Sequence, residues 1–329
     1  MPIASAAVEE RVATAHKIAD DVLFPAALDV DRAPLVPQSH LDLLAHHGLY
    51  GLACHDDPRM LWAVTEVLAS GCLATTFVWV QHHGAVRALA GSGNDALRYA
   101  WLRPLCDGEH RAGIAIAGIR PPKPSLRAQR SDQGWLFDGT VPWVTGLGLI
   151  DVMLTGAVTD DDRVVWALLD ALPGPALHTE PLPLIAANAS GTVHATFDGH
   201  VVDDARVVAV DPYAPPPPDD GGGRPNGSLA LGVARRACAL MGGTPLDEEL
   251  EERRRELDAA TDDTMATARA AASELALRAA ARLVVDTGSR AVVAGGDAER
   301  LLREAAFTAV FGTRRAIRDD LLRRLERRP

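Results

Sequence analysis

The side chains first in line for metal or acid–base chemistry are two tandem histidine pairs, His46-His47 and His82-His83. Adjacent residues do not share a helix face, so neither pair can converge on one ion. Gln81-His82-His83, on a long apolar helix, reads as satisfied core histidines, with the lining of a substrate channel as the alternative. Cys54, Cys72, Cys106 and Cys238 include no CxxC pair, which excludes zinc-ribbon and thioredoxin chemistry. They read as small buried hydrophobes of a reduced compartment. Gly146-Leu-Gly148 lacks the rest of a dinucleotide fingerprint, and there is no GxSxG elbow or HExxH pair.

Three zones must position whatever chemistry remains. Residues 1–111 read as helical. Val8, Val12, Ala15, Ile18 and Val22 make one apolar stripe, and Leu73–Leu89 reads as a helix buried on most faces. Ser39 with Asp42 three residues on is a capping signal. Residues 112–210 hold short β-rich runs, at Ile114–Ala117, Trp135–Phe137, Val152–Thr155, Val164–Leu168, Val193–Phe197 and Val207–Val210. Turn residues separate them, which predicts an antiparallel sheet or small barrel. Residues 211–227, with four prolines and then three glycines in a row, form an extended linker. A helix capped by Ser228 follows and stops at Gly242-Gly243; helices over Met265–Val285 and Asp297–Arg328 complete a helical third domain, 228–329.

The 329 residues are 47% hydrophobic with a net charge of −11, which fits a folded protein with a sizeable core. That charge argues against a nucleic-acid partner, because phosphate binding needs a basic surface. No apolar run approaches the roughly 20 residues of a membrane span. The N-terminus carries no signal region, so a cytoplasmic protein is expected.

The order of helices, β domain and helices resembles the acyl-CoA dehydrogenase superfamily of flavoproteins over nearly the whole chain. Gly139-Thr-Val-Pro-Trp143-Val144-Thr145, with Asp151 beyond it, is similar to the family segment G-x-K-x-W-I-T. Ile119-Arg120-Pro121-Pro122-Lys123-Pro124-Ser125 stands where the family has T-E-P-x-x-G-S, and shares Pro121 and Ser125 with it. Glu299-Arg300-Leu-Leu-Arg303-Glu304-Ala305 resembles E-R-x-x-R-D-A, and Phe311-Gly312-Thr313 resembles E-G-T. The resemblance implies a mainly α fold with a central β domain. An N-terminal helical domain would be followed by a β-barrel or sandwich and a C-terminal four-helix bundle.

It also implies FAD between β domain and bundle. Trp143 would pack beside the flavin ring and Thr145 would hydrogen-bond near N5. Val144, Ser125, Gly312 and Thr313 would complete the cofactor contacts, with Arg120 and Lys123 able to supply phosphate charge. Arg303 and Glu304 would be structural, with an arginine pairing inside the bundle. The substrate would be an acyl thioester or a related small molecule giving hydride to flavin N5, in a homo-oligomer or beside a homologous partner subunit. Such chemistry removes a weakly acidic proton and needs a carboxylate base. The family's usual glutamate before Gly-Thr is either replaced by Phe311 here or skipped by a one-residue gap, and Ser228–Met241, the other family position, contains no Asp or Glu. The catalytic base is therefore unassigned. Family anchors for the FAD diphosphate are also absent after Met241 and before Gly295-Gly296. Three functions follow: an acyl-CoA dehydrogenase-like oxidoreductase, a flavin-dependent oxygenase on the same fold, or a non-catalytic subunit of a heteromeric dehydrogenase.

Overall fold

The computed structural model describes residues 6–55, 57–120, 123–214 and 223–326. Residues 215–222 of the expected linker, with Pro121 and Pro122, lie outside them. Six helices open the chain: α1 (Ala6–Ile18), α2 (Phe24–Arg32), α3 (Gln38–His46), α4 (Arg59–Gly71), α5 (Leu73–Ala90) and α6 (Asp95–Asp107). The expected stripe holds as far as Ile18, but the π-helical turn that follows buries Leu23 and leaves Val22 exposed. Ala15 and Ile18 are buried, Val8 and Val12 pack at the core's edge, and that turn (Ala19–Leu23) carries α1 into α2. Pro25 follows closely on that turn, so its missing N–H falls where the ladder passes from π to α spacing. Helix α5 matches its expected extent and is buried on nearly every face. The capping signal at Ser39 fails: Pro37 is the N-cap of α3, Ser39 lies inside the helix, and Asp42 instead accepts from Arg111 at 2.6 Å.

The middle of the chain is one eight-stranded sheet: β1 (Ala112–Ala115), β2 (Leu126–Ser131), β3 (Gly134–Val144), β4 (Val152–Val158), β5 (Arg163–Asp170), β6 (Leu177–Pro181), β7 (Val193–Val202) and β8 (Val207–Pro212). The order is β6-β7-β3-β2-β4-β5-β8, with β1 beside β4. Most pairs are antiparallel, as expected, but β1 and β2 both run parallel to β4. A single pairing, Arg127 with Val158, joins the β6-β7-β3-β2 half to the β4-β5-β8 half. The inner faces form a core of Phe137, Val141, Met153, Val165, Phe197 and their neighbours.

Five helices follow: α7 (Gly223–Leu240), α8 (Leu246–Ala259), α9 (Asp262–Thr287), α10 (Asp297–Val310) and α11 (Arg315–Glu326). Helix α7 starts before the expected cap, because Pro225 is tolerated in a first turn. Ser228 is thus an interior residue whose hydroxyl donates to the Trp62 carbonyl at 2.8 Å. The final expected helix is two, broken after Val310 where Gly312 takes φ +62. One apolar core runs from α1, α4 and α5 into α7, α9 and α10. Helix α4 meets the bundle backbone-to-backbone: a Cβ on Gly232 of α7 would stand 2.5 Å from the Glu66 carbonyl oxygen. On its other side, a Cβ on Gly71 would stand 2.9 Å from Ala19. No helix among the described residues is long and apolar enough to cross a membrane.

Candidate functional site

Strand β3 pairs with β7 as Val141 with Ala195 and then Val144 with Val193, so the ladder slips between them. The slip ejects Pro142 and Trp143 as a bulge. Trp143 takes φ +62, a left-handed conformation that costs an L-residue about 1–2 kcal/mol, and its side chain is among the exposed large apolar groups, at 61%. A strained backbone that turns an indole outward is unusual for a strand tryptophan, which normally earns its place by burial. Val144 returns to the β core at 1% exposure.

Thr145 is buried, and its hydroxyl lies 3.0 Å from that of Thr192, which lies 2.8 Å from that of Ser190. Backbone bonds from Gly146 to Ser190 and from Leu147 to Gly191 hold this hydroxyl row beside the bulge. Ser125 joins from the start of β2: its hydroxyl donates to the Thr140 carbonyl at 2.8 Å, and its carbonyl accepts from the Thr140 N–H at 2.8 Å. Asp151 accepts from the Arg111 N–H at 2.7 Å, a role in chain geometry. Lys123 is exposed on the loop before Ser125.

Phe311, Gly312 and Thr313 follow α10. The Phe311 ring stacks on Phe307 with centroids 5.5 Å apart, and Phe77 of α5 meets both edge-on, at 4.7 Å and 5.1 Å. Phe311, where the sequence resemblance placed the family base, is thus the corner of an aromatic cluster. Gly312 lies against Asn226 in the first turn of α7, where a Cβ would come within 2.6 Å of the amide nitrogen. The Thr313 hydroxyl donates to the Ala309 carbonyl at 2.9 Å. Beneath them lies a residue the sequence did not mark. Arg269 of α9, 1% exposed, donates to the Thr308 carbonyl at 2.7 Å and contacts that of Phe311 at 3.5 Å. Burial lowers its pKa to about 10, and its charge faces the negative end of α10.

Two groups therefore form. One is Ser125, Trp143, Val144 and Thr145 on the β domain; the other is Phe311, Gly312 and Thr313 on the bundle. Among the described residues no hydrogen bond or ring contact joins them directly. The β6–β7 loop spans the gap, since Thr192 reaches Thr145 while the Ile185 carbonyl accepts from Arg303 of α10 at 2.7 Å. Arg303 also pairs with Asp31 and Glu299. The arginine paired inside the bundle is Arg300, 2.7 Å from buried Glu304. Burial raises the Glu304 carboxyl pKa, and the nearby Arg300 opposes that shift.

His82 and His83 are core residues as expected, but not satisfied ones, whereas His46 is exposed and His47 half-buried. His82 Nδ1 accepts from the Ala112 N–H at 3.0 Å, but His82 Nε2 and both ring nitrogens of His83 are buried without partners. Burial pushes His82 down to about 3 and holds His83 well below its ordinary range. No cluster of three or more metal-ligating side chains occurs among the described residues. The cysteines split: Cys72 and Cys238 are buried as expected, whereas Cys54 is exposed and Cys106 half-buried. A cavity of about 550 Å³ lies between the N-terminal helices and the bundle, lined by Leu52, His55, Trp62, Arg87, Arg224 and Met265 among others.

Comparison with known proteins follows the same outline. Residues 5–109 match the family "Acyl-CoA dehydrogenase, N-terminal domain". The chain is 24% identical over 182 residues to the human mitochondrial short-chain specific acyl-CoA dehydrogenase, a match covering 50% of this chain and 43% of that protein. It is 23% identical over 173 residues to (2S)-methylsuccinyl-CoA dehydrogenase of Cereibacter sphaeroides, covering 46% of this chain and 31% of that protein. The match thus spans less than half the length of these curated relatives. Butyryl-CoA dehydrogenase from Megasphaera elsdenii superposes with a TM-score of 0.82 at 17% identity, covering 98% of this chain and 99% of that one. The FAD complex of PigA superposes with a TM-score of 0.78 at 18% identity, covering 98% of each chain.

Proposed function

We propose that the chain is an acyl-CoA dehydrogenase-like, FAD-dependent oxidoreductase whose flavin stacks on Trp143; the family match over residues 5–109 and the shared fold support this reading. The observation that carries this reading is the outward indole on a left-handed backbone, beside a row of three hydroxyls. These residues suit a flavin: a flat apolar face for the ring and small donors for its nitrogens and carbonyls. Trp143 would cover the ring, Val144 anchors the strand behind it, Thr145 would supply a hydroxyl donor, and Ser125, whose O–H is held by the Thr140 carbonyl, would supply an acceptor. Gly312 and Thr313 would close the bundle side, with the charge of Arg269 below. When bound, the flavin supplies a two-electron acceptor for hydride from an acyl thioester or related small molecule. The proposed assembly is a homo-oligomer or a pair with a homologous subunit, in the cytoplasm.

The purified protein, reconstituted with FAD, is expected to show a protein-bound flavin spectrum. Trp143→Ala should weaken FAD binding roughly tenfold, since loss of aromatic stacking costs about 1–3 kcal/mol. Unchanged affinity in that variant would remove Trp143 from the site.

The aromatic corner at Phe311 favours a second reading. Phe77, Phe307 and Phe311 offer no group that could accept a substrate proton. A flavin oxygenase, or a non-catalytic subunit of a heteromeric dehydrogenase, needs none at that position. Anaerobic bleaching of the bound flavin by an acyl thioester supports dehydrogenation. Bleaching only by an external reductant supports the oxygenase, and flavin retained only alongside a homologous partner supports the subunit.

A further inference from the structure

Cys54 and Cys106 are 52 residues apart in sequence, yet their sulfurs lie 3.3 Å apart. Cys54 ends a short 3-10 turn (Leu52–Cys54), and Cys106 is the penultimate residue of α6. Gly51 allows the approach: a Cβ there would stand 3.3 Å from the Cys106 carbonyl oxygen and 3.5 Å from its Cβ. Cys54 faces solvent and Cys106 is half-buried behind it, while Cys72 and Cys238 are buried elsewhere.

We propose that Cys54 and Cys106 form a reversible intrachain disulfide, made by exchange with a low-molecular-weight disulfide. The sulfurs have to close from 3.3 Å to about 2.05 Å, a small approach for two side chains already in contact. The exposed Cys54 thiolate attacks one sulfur of the small disulfide, forming a mixed disulfide and releasing one small thiol. Cys106 then loses its proton to solvent and displaces the second small thiol from the Cys54 sulfur. The two protein thiols give up two electrons and two protons, and the small disulfide is reduced to two thiols.

The order of attack follows from the surroundings. Burial, then the hydrogen bond and charge of Cys54, push the Cys106 thiol up to about 12, so it is the poorer first nucleophile. Once Cys54 is in a mixed disulfide, its share of that rise disappears and Cys106 can resolve the adduct. The turn that carries Cys54 also contributes Leu52 and Ala53 to the wall of the 550 Å³ cavity, next to His55. Oxidation therefore fastens that wall to α6.

The test uses the native full-length protein equilibrated with oxidised glutathione, then acid-quenched, alkylated and mapped by mass spectrometry. The expected result is loss of two reactive thiols, a peptide linking Cys54 to Cys106 within one chain, and full reversal by dithiothreitol. Cys106→Ser should stop at one glutathione on Cys54, and Cys54→Ser should give no cross-link. Wild-type protein that accumulates only the glutathione adduct overturns the proposal. So does a cross-link between two chains or to either buried cysteine. If Cys54→Ser does not fold, the trapped adduct on Cys106→Ser decides the same question.

Discussion

Trp143 combines a left-handed backbone with 61% exposure, so the folded chain carries its strain with little burial in return. Trp143→Gly should therefore stabilise the protein without cofactor, by about 0.5–1 kcal/mol, while weakening FAD binding. Calorimetry of the FAD-free protein and a flavin titration check the two halves separately. A variant that melts earlier and binds FAD as before would contradict both. The residue types at 143 and 145 were legible in the sequence, but the bulge was not. It arises from the register of β3 on β7, and nothing within the tripeptide fixes that register. The Cys54–Cys106 contact was illegible for a similar reason, because proximity across 52 residues is made by Gly51 and the fold.

At the scale of the element, α5 holds two histidines whose folded pKa values lie below the unfolded value of about 6.5. Both are neutral in the fold, so the unfolded chain binds more protons as pH falls. Their contribution to stability is fully present above about pH 6.5 and declines below it, by about 1.4 kcal/mol per pH unit for each histidine, towards about pH 3 for His82. His83→Phe keeps a ring against Trp79 and forfeits no hydrogen bond, so urea unfolding of this variant should lose less stability than wild type between pH 7 and pH 5. Equal losses would mean that His83 is hydrated in solution. The extent of α5 was legible because its apolar run is long and uninterrupted. Strands β2 (Leu-Arg-Ala-Gln-Arg-Ser) and β6 (Leu-His-Thr-Glu-Pro) were missed because neither has a β-branched run, and pairing with β3 and β7 makes them strands. The break after Val310 did carry a signal, Gly312, which the apolar periodicity on either side masked.

For the molecule as a whole, the order of helices, sheet and helices could be read from composition, but not the single core shared by the two helical blocks. That core depends on contacts such as Arg303, which joins α10 to Asp31 of α2 and to the Ile185 carbonyl. Arg303→Ala should cost about 1–3 kcal/mol and raise hydrogen exchange in the β6–β7 loop, whereas a purely local role would leave that loop unchanged. Gly71 and Gly232 add a constraint of another kind. They seat α4 so closely between its neighbours that a methyl group at either position meets backbone atoms. The helical blocks accordingly have no slack for sliding past one another, and a side chain there would act as a wedge. Compliance is left to the seam where Arg127–Val158 is the one ladder pairing between the half-sheets and side-chain packing does the rest. Any breathing that admits a large planar guest should begin at that seam.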